Sequence, residues 1–193
     1  MRQFSKICDN LDASFAIAEI AANDHWFGEL TQRADAQSSP HREMQDIWVR
    51  YADVSEMLIT GDFSKMSEEH DSVWLKDMPA VKSLCFEVMA LVDGERLGGV
   101  LVTKLPPGGK IWPHRDTGGW HAEYYDKYYI PIQNKPGSIF CFEDGVIEPN
   151  MGELWQFDNN RIHWVENNTD EDRIAMIVCV KQDKYNRGGE LAA

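Results

Sequence analysis

Apolar and polar positions divide this chain into two textures. Residues 1 to 95 read as mostly helical. Ala13–Ala22 is rich in Ala, Ile and Phe. In Glu43–Tyr51, the residues Met44, Ile47, Trp48 and Tyr51 recur at spacings of three and four, the stripe of one helical face. Pro79–Asp93 opens on proline, carries Val81, Leu84, Cys85, Val88 and Leu91, and stops at Gly94. Proline at the start and glycine past the end is common helix punctuation. Gln37–His41 and Gly61–Asp71 read as loops. From Leu97 onward the pattern changes to short β-like runs: Val100–Leu105, Tyr128–Gln133, Ser138–Phe142, Glu153–Phe157, Ile162–Glu166 and Ile174–Val180. Turn-forming clusters separate them, such as Pro106-Pro107-Gly108-Gly109 and Asn134-Lys135-Pro136-Gly137. Regularly spaced short strands point to a β-sandwich or jelly roll. Asp183–Ala193 reads as a loose polar tail.

Composition narrows the function classes. The 193 residues suit one domain, with residues 1–95 as a helical region packed on a barrel of residues 96–182. The 32 acidic residues outnumber the 19 basic ones, a net charge of −13. That balance disfavours nucleic-acid backbones and anionic membranes as partners, because both are gripped by clustered Lys and Arg. No run approaches the length of a membrane span. Met1–Asn10 holds no apolar core of a signal peptide, so the expected location is cytoplasmic. Cys8, Cys85, Cys141 and Cys179 are scattered, without a C-x-x-C pair, and read as free thiols. Asn167-Asn168-Thr169 fits a glycosylation sequon, but without a secretory signal it reads as a turn.

Two of the six histidines sit where chemistry is plausible. His114 and Asp116, at i and i+2 of an extended segment, project to the same side and can converge on one point. His163, in a later β-like run, can reach the same mouth from a second strand. Two imidazoles and one carboxylate can occupy one face of an octahedral metal and leave three positions open, as in non-haem Fe(II) oxygenases. Taken singly, each residue also fits a plainer role, His163 as a core histidine and Asp116-Thr117-Gly118-Gly119 as a turn. Arg173 follows the turn Asn167–Asp172 and can open the next strand, antiparallel to that of His163. A guanidinium there can bind a carboxylate through two parallel hydrogen bonds. The alternative is a surface pair with Glu171 or Asp172.

Three segments carry a family resemblance. Leu105-Pro-Pro-Gly-Gly-Lys-Ile-Trp-Pro-His-Arg-Asp116, the stretch Gly152 to Asn167, and Arg173-Ile-Ala-Met-Ile-Val178 resemble, in one colinear order, the aspartyl/asparaginyl β-hydroxylases, a family of Fe(II)/2-oxoglutarate oxygenases. The resemblance implies a double-stranded β-helix with helices outside. It implies that His114, Asp116 and His163 bind Fe(II) as the catalytic centre, and that Arg173 takes the distal carboxylate of 2-oxoglutarate. Thr103 matches the hydroxyl residue on the strand before the metal motif. Tyr129, in Lys127-Tyr128-Tyr129, stands where the family's Basic-x-His run has histidine, and its phenol can still donate a hydrogen bond to a carboxylate of the cosubstrate. Cys179 stands where the last strand often ends in aspartate.

The activity so implied is hydroxylation of an amino-acid or protein side chain, of Asp/Asn or Pro type, or of a related small metabolite. O2 is consumed, and succinate and CO2 are released. The competing reading is a cupin-like metal-binding module without 2-oxoglutarate chemistry, and Arg173 separates the two. Thr117–Asp126 is either a substrate rim or an exposed loop. Trp112, Trp155 and Trp164 either line a pocket or fill the core.

Overall fold

The computed structural model describes residues 4–36, 38–52, 59–60, 69–71, 77–116 and 125–182. The strands are β1 (Phe4–Cys8), β2 (Gln45–Ala52), β3 (Glu69–Asp71), β4 (Gly94–Leu105), β5 (Lys110–His114), β6 (Asp126–Gln133), β7 (Ser138–Phe142), β8 (Gly145–Ile147), β9 (Leu154–Phe157), β10 (His163–Asn167) and β11 (Arg173–Gln182). The α-helices include α1 (Ser14–Ala22), α2 (Gln32–Asp35) and α3 (Pro79–Leu91), with a 3-10 turn at Asp24–Trp26. A seven-stranded sheet runs β1-β9-β6-β11-β4-β2-β3 and a four-stranded sheet runs β5-β10-β7-β8, all neighbours antiparallel. This is the expected jelly-roll architecture with an N-terminal helical region. The predicted tail, Asp183–Ala193, and most of the predicted rim, 117–124, lie outside the described residues.

One predicted helix is a strand. Glu43–Tyr51 forms most of β2, which pairs with β4 through Gln45↔Lys104, Asp46↔Thr103, Ile47↔Val102 and Trp48↔Leu101. The apparent helical stripe joined residues of opposite faces. With period two, Ile47 and Val49 are buried among the helix-side aliphatics, while Met44 belongs to the cluster between the sheets. The twelve-residue β4 offers a long row of backbone groups, and pairing them outweighs a short helical stripe. β1 and β3 also join the large sheet from the N-terminal part of the chain.

Alternation along the large sheet builds two cores. On one face Val100, Val102, Tyr128, Ile130, Ile132, Met176, Val178 and Val180 pack with Ala16 and Ile20 of α1 and with Val81, Leu84, Cys85 and Val88 of α3. Helix α3 has no side-chain cap of its own. The Glu19 carboxylate on α1 accepts from the backbone N–H of Ala80 and Val81 at 3.1 and 2.8 Å, satisfying two of its free N-terminal donors. On the other face Leu105, Tyr129, Ala175 and Phe157 meet Ile111, Phe140, Phe142 and Val165 of the small sheet.

Two turns meet beneath the site. The Pro106–Gly109 turn holds Gly108 at φ +72°, where a side chain would be strained. Gly108 N–H donates to the Asn167 carbonyl at 2.8 Å, and Asn167 N–H to the Gly109 carbonyl at 3.0 Å. The Asn167 amide is buried and donates to the carbonyls of Leu105, Pro106 and Glu171 at 2.8–3.0 Å. The sequon asparagine is therefore a structural pin, and it sets the entry to β11 at Arg173.

Candidate metal and cosubstrate site

His114 ends β5, His163 begins β10, and the two are directly opposed partners of that antiparallel pair. Their rings lie 4.3 Å apart, centroid to centroid. Each ring is fixed by its own strand. His114 Nδ1 meets the Trp112 carbonyl at 2.7 Å, and His163 Nδ1 meets the Arg161 carbonyl at 2.9 Å. A carbonyl only accepts, so each Nδ1 carries a proton, and in the neutral ring the lone pair is on Nε2. Both Nε2 atoms face Asp116: His114 Nε2 is 3.5 Å from Oδ1 and His163 Nε2 is 3.7 Å from Oδ2. Asp116 lies two residues past His114, and its backbone N–H donates to the Asn159 carbonyl at 2.9 Å.

The charges suit a divalent cation. Burial alone would raise Asp116, but the Lys127 ammonium, 2.6 Å from Oδ2, and the neighbouring histidines hold it far below the ordinary carboxylate range. Burial pushes His163 down to about 4, so it is neutral at pH 7. Two imidazoles whose Nε2 atoms face one ionised carboxylate form a donor set that fits Fe(II).

Sequence reasoning singled out these three residues and missed a fourth. A ring nitrogen of His41 lies within 4.8 Å of donor atoms of both His114 and Asp116. The His41 and His114 rings meet edge to face at 4.6 Å. Burial, and then the Arg33 guanidinium, push His41 well below the usual histidine range. Only its residue type marks His41 in the sequence, 73 residues before His114. In the sequence Lys127 stands out only as the basic residue of Lys127-Tyr128-Tyr129, and its contact with Asp116 arises from the β6 register.

The second part of the site lies on the inner face of the large sheet. Arg173 is buried and opposes Leu105 across β4. Its Nη2 donates to the Tyr129 hydroxyl at 2.9 Å, and the guanidinium sits 5.1 Å from that ring's centroid. No carboxylate among the described residues pairs with it, so the surface pair with Glu171 or Asp172 does not form. Thr103 opposes Ala175, two positions along the same face, and its hydroxyl donates to the Ala175 carbonyl at 3.3 Å. Burial raises Tyr129, partly offset by Arg173, so its hydroxyl stays protonated at neutral pH.

The tryptophans divide. Trp112 is half exposed, with the Arg42 guanidinium 4.4 Å from its ring centroid. Trp155 is half-buried, packs on Phe4 and donates from Nε1 to Glu153 at 2.8 Å. Trp164 opposes Cys141, on the face of β10 opposite to His163.

Comparison with known proteins decides the family. The model for aspartyl/asparaginyl β-hydroxylases matches residues 21–183. The chain belongs to that family. It is an Fe(II)/2-oxoglutarate-dependent oxygenase of the hydroxylase type, with Fe(II), 2-oxoglutarate and O2 as its cofactors and oxidant. Solved structures share the fold at low identity. A viral collagen prolyl hydroxylase from Paramecium bursaria Chlorella virus-1 superimposes with a TM-score of 0.58 at 11% identity, covering 95% of this chain and 97% of that one. A prolyl hydroxylase from Trichoplax adhaerens, in complex with a hypoxia inducible factor peptide fragment, gives 0.59 at 13%, covering 93% and 84%. A prolyl-4-hydroxylase from Pseudomonas putida gives 0.54 at 14%, covering 95% and 94%. No curated protein sequence matches the chain. Among the described residues no helix is long and apolar enough to cross a membrane.

Proposed function

We propose that this oxygenase hydroxylates an amino-acid side chain, free or within a peptide or protein, or a related small metabolite. The proposed assignment is His114, Asp116 and His163 to Fe(II), and Arg173, Tyr129 and Thr103 to the distal carboxylate of 2-oxoglutarate. The observation that carries it is Arg173. A buried guanidinium without a carboxylate partner is costly, and a bound carboxylate would relieve that cost. A metal-binding module with no anionic cosubstrate gives this charge no role.

The chain's own groups divide the work. The Trp112 and Arg161 carbonyls hold the two imidazoles in the tautomer that offers Nε2. Lys127 keeps Asp116 ionised. Arg173 and the Tyr129 hydroxyl present donors to a carboxylate from one side, and the aromatic wall of Phe140, Phe142 and Phe157 around His163 excludes water. Iron with 2-oxoglutarate and O2 supplies the oxidising power that places a hydroxyl on carbon, with release of succinate and CO2.

The test is an anaerobic titration of 2-oxoglutarate into Fe(II)-loaded protein, followed by binding heat and the visible charge-transfer band. A saturable signal in the wild type, lost in Arg173→Ala and His163→Ala, is expected. Peptides and free amino acids are then screened for succinate release. No binding to folded, iron-loaded protein would favour a cupin-like module with Arg173 as a structural charge.

A further inference from the structure

His41 is held at the centre by a built support, not by chance packing. Its segment is tied to β5, the strand that ends in His114, by two hydrogen bonds: Trp112 N–H to the Pro40 carbonyl at 2.9 Å and Lys110 N–H to Glu43 Oε2 at 2.8 Å. The stacking of Arg42 on Trp112 adds a third contact. Within the segment, His41 N–H donates to Ser39 Oγ at 3.0 Å and Met44 N–H to the His41 carbonyl at 3.0 Å. The ring is itself clamped. Arg33 Nη2 lies 3.3 Å from His41 Nε2, while Arg33 Nη1 reaches both oxygens of the buried Asp46 at 3.2 and 3.3 Å.

That clamp settles the tautomer. A guanidinium only donates, so Nε2 is the acceptor and the neutral ring carries its proton on Nδ1. His41 is 8 % exposed, and Nδ1 is buried with no partner among the described residues. A buried N–H without an acceptor costs free energy that a bound oxygen would recover. The same clamp argues against a fourth metal ligand, because the ring's one lone pair is already engaged by Arg33. A fourth protein ligand would also leave too few open positions for a chelating keto acid and O2 together.

Resting on the reading of the site given above, we infer that His41 is a cosubstrate-binding residue. Its Nδ1–H donates to an oxygen at the keto-acid end of 2-oxoglutarate, beside His114 and Asp116, while Arg173 and Tyr129 hold the far carboxylate. Arg33 and Asp46 are the positioning residues that lock the donor tautomer. The cosubstrate is thus gripped at both ends by buried donors, one set from the large sheet and one from the N-terminal segment.

Binding measurements in the absence of oxygen test this without turnover. In Mn(II)-loaded protein, His41→Leu should leave the Mn(II) affinity within about threefold and weaken 2-oxoglutarate by about 10- to 100-fold, the loss of one hydrogen bond to a charged acceptor. His41→Gln keeps an N–H donor and should recover most of that loss. In Zn(II)-loaded wild type, side-chain ¹⁵N–¹H spectra should show His41 protonated on Nδ1, with the proton moving downfield as 2-oxoglutarate is added. This last readout needs no variant to fold. A drop of about 100-fold or more in Mn(II) affinity in His41→Leu would make His41 a metal ligand and overturn the donor role. Unchanged 2-oxoglutarate affinity in His41→Leu, or an unmoved Nδ1 proton, would make it a packing residue. Wild-type metal-loaded protein that binds no 2-oxoglutarate would instead overturn the parent reading, and this inference with it.

Discussion

The two faces of the seven-stranded sheet are made from the same strands and do different work. The helix-facing side is almost wholly aliphatic, with Ile47, Val102, Met176 and Val178 fully buried under α1 and α3. The inward side alternates with it residue by residue, yet carries Arg173, Thr103, Tyr129, Lys127 and Asp46 among the aromatics of the small sheet. Burying a guanidinium and an aspartate is expensive, whereas burying Val and Met is the main gain of folding. One face therefore holds the sheet together, and the other can carry strained charge because the first has already ordered the backbone.

Breaking either face should separate activity from stability. The largest effect is expected at the proposed metal site on the inward side. His163→Ala should lower turnover by about a thousandfold or more while the melting temperature changes little, measured by succinate release against thermal unfolding. Next is the helix-facing core, where Met176→Ala should cost about 2–5 kcal/mol of unfolding free energy in a urea titration. The cosubstrate affinity of its folded fraction should stay unchanged. Third, Arg173→Ala should raise the 2-oxoglutarate KM by about 100-fold at nearly constant stability, because removing an unpaired buried charge offsets the lost packing. A protein that loses stability and keeps its KM would reverse the division of labour.

Smaller effects sharpen the picture at the sheet's edge. Burial tends to raise Glu153, but hydrogen bonds from Lys6, the Asn150 N–H and Trp155 bring it down to about 2. Its folded value lies below the unfolded value, so its contribution is complete above about pH 4.5 and is lost as pH falls toward 2. Glu153→Gln should remove about 1–2 kcal/mol at pH 7 and flatten the acid limb of stability between those values. Equilibrium unfolding at a series of pH values checks the slope.

Much of the C-terminal half was legible because its chemistry is local. Strand runs, turn clusters and the pair His114 and Asp116 lie within a few residues of one another, and periods of two are readable without knowing the partner strand. β2 was misread because Met44, Ile47, Trp48 and Tyr51 mimic a helical stripe, and only the open edge of β4 shows that they extend. Lys127 against Asp116 and His41 against His114 were invisible for a different reason. Their neighbours in space are distant in sequence, so no spacing encodes them.

The sequence by itself determined the double-stranded β architecture, the order of the candidate ligands and the family, since these rest on residue type and local period. Tertiary structure alone decided which side chains meet. The antiparallel register set His163 opposite His114, the paired turns at Gly108 and Asn167 set Arg173 inward, and the Arg33–Asp46 pair set the tautomer of His41. Those choices come from long-range pairing of backbone groups and buried charges, whose free energy exists only once the sheets have closed on each other.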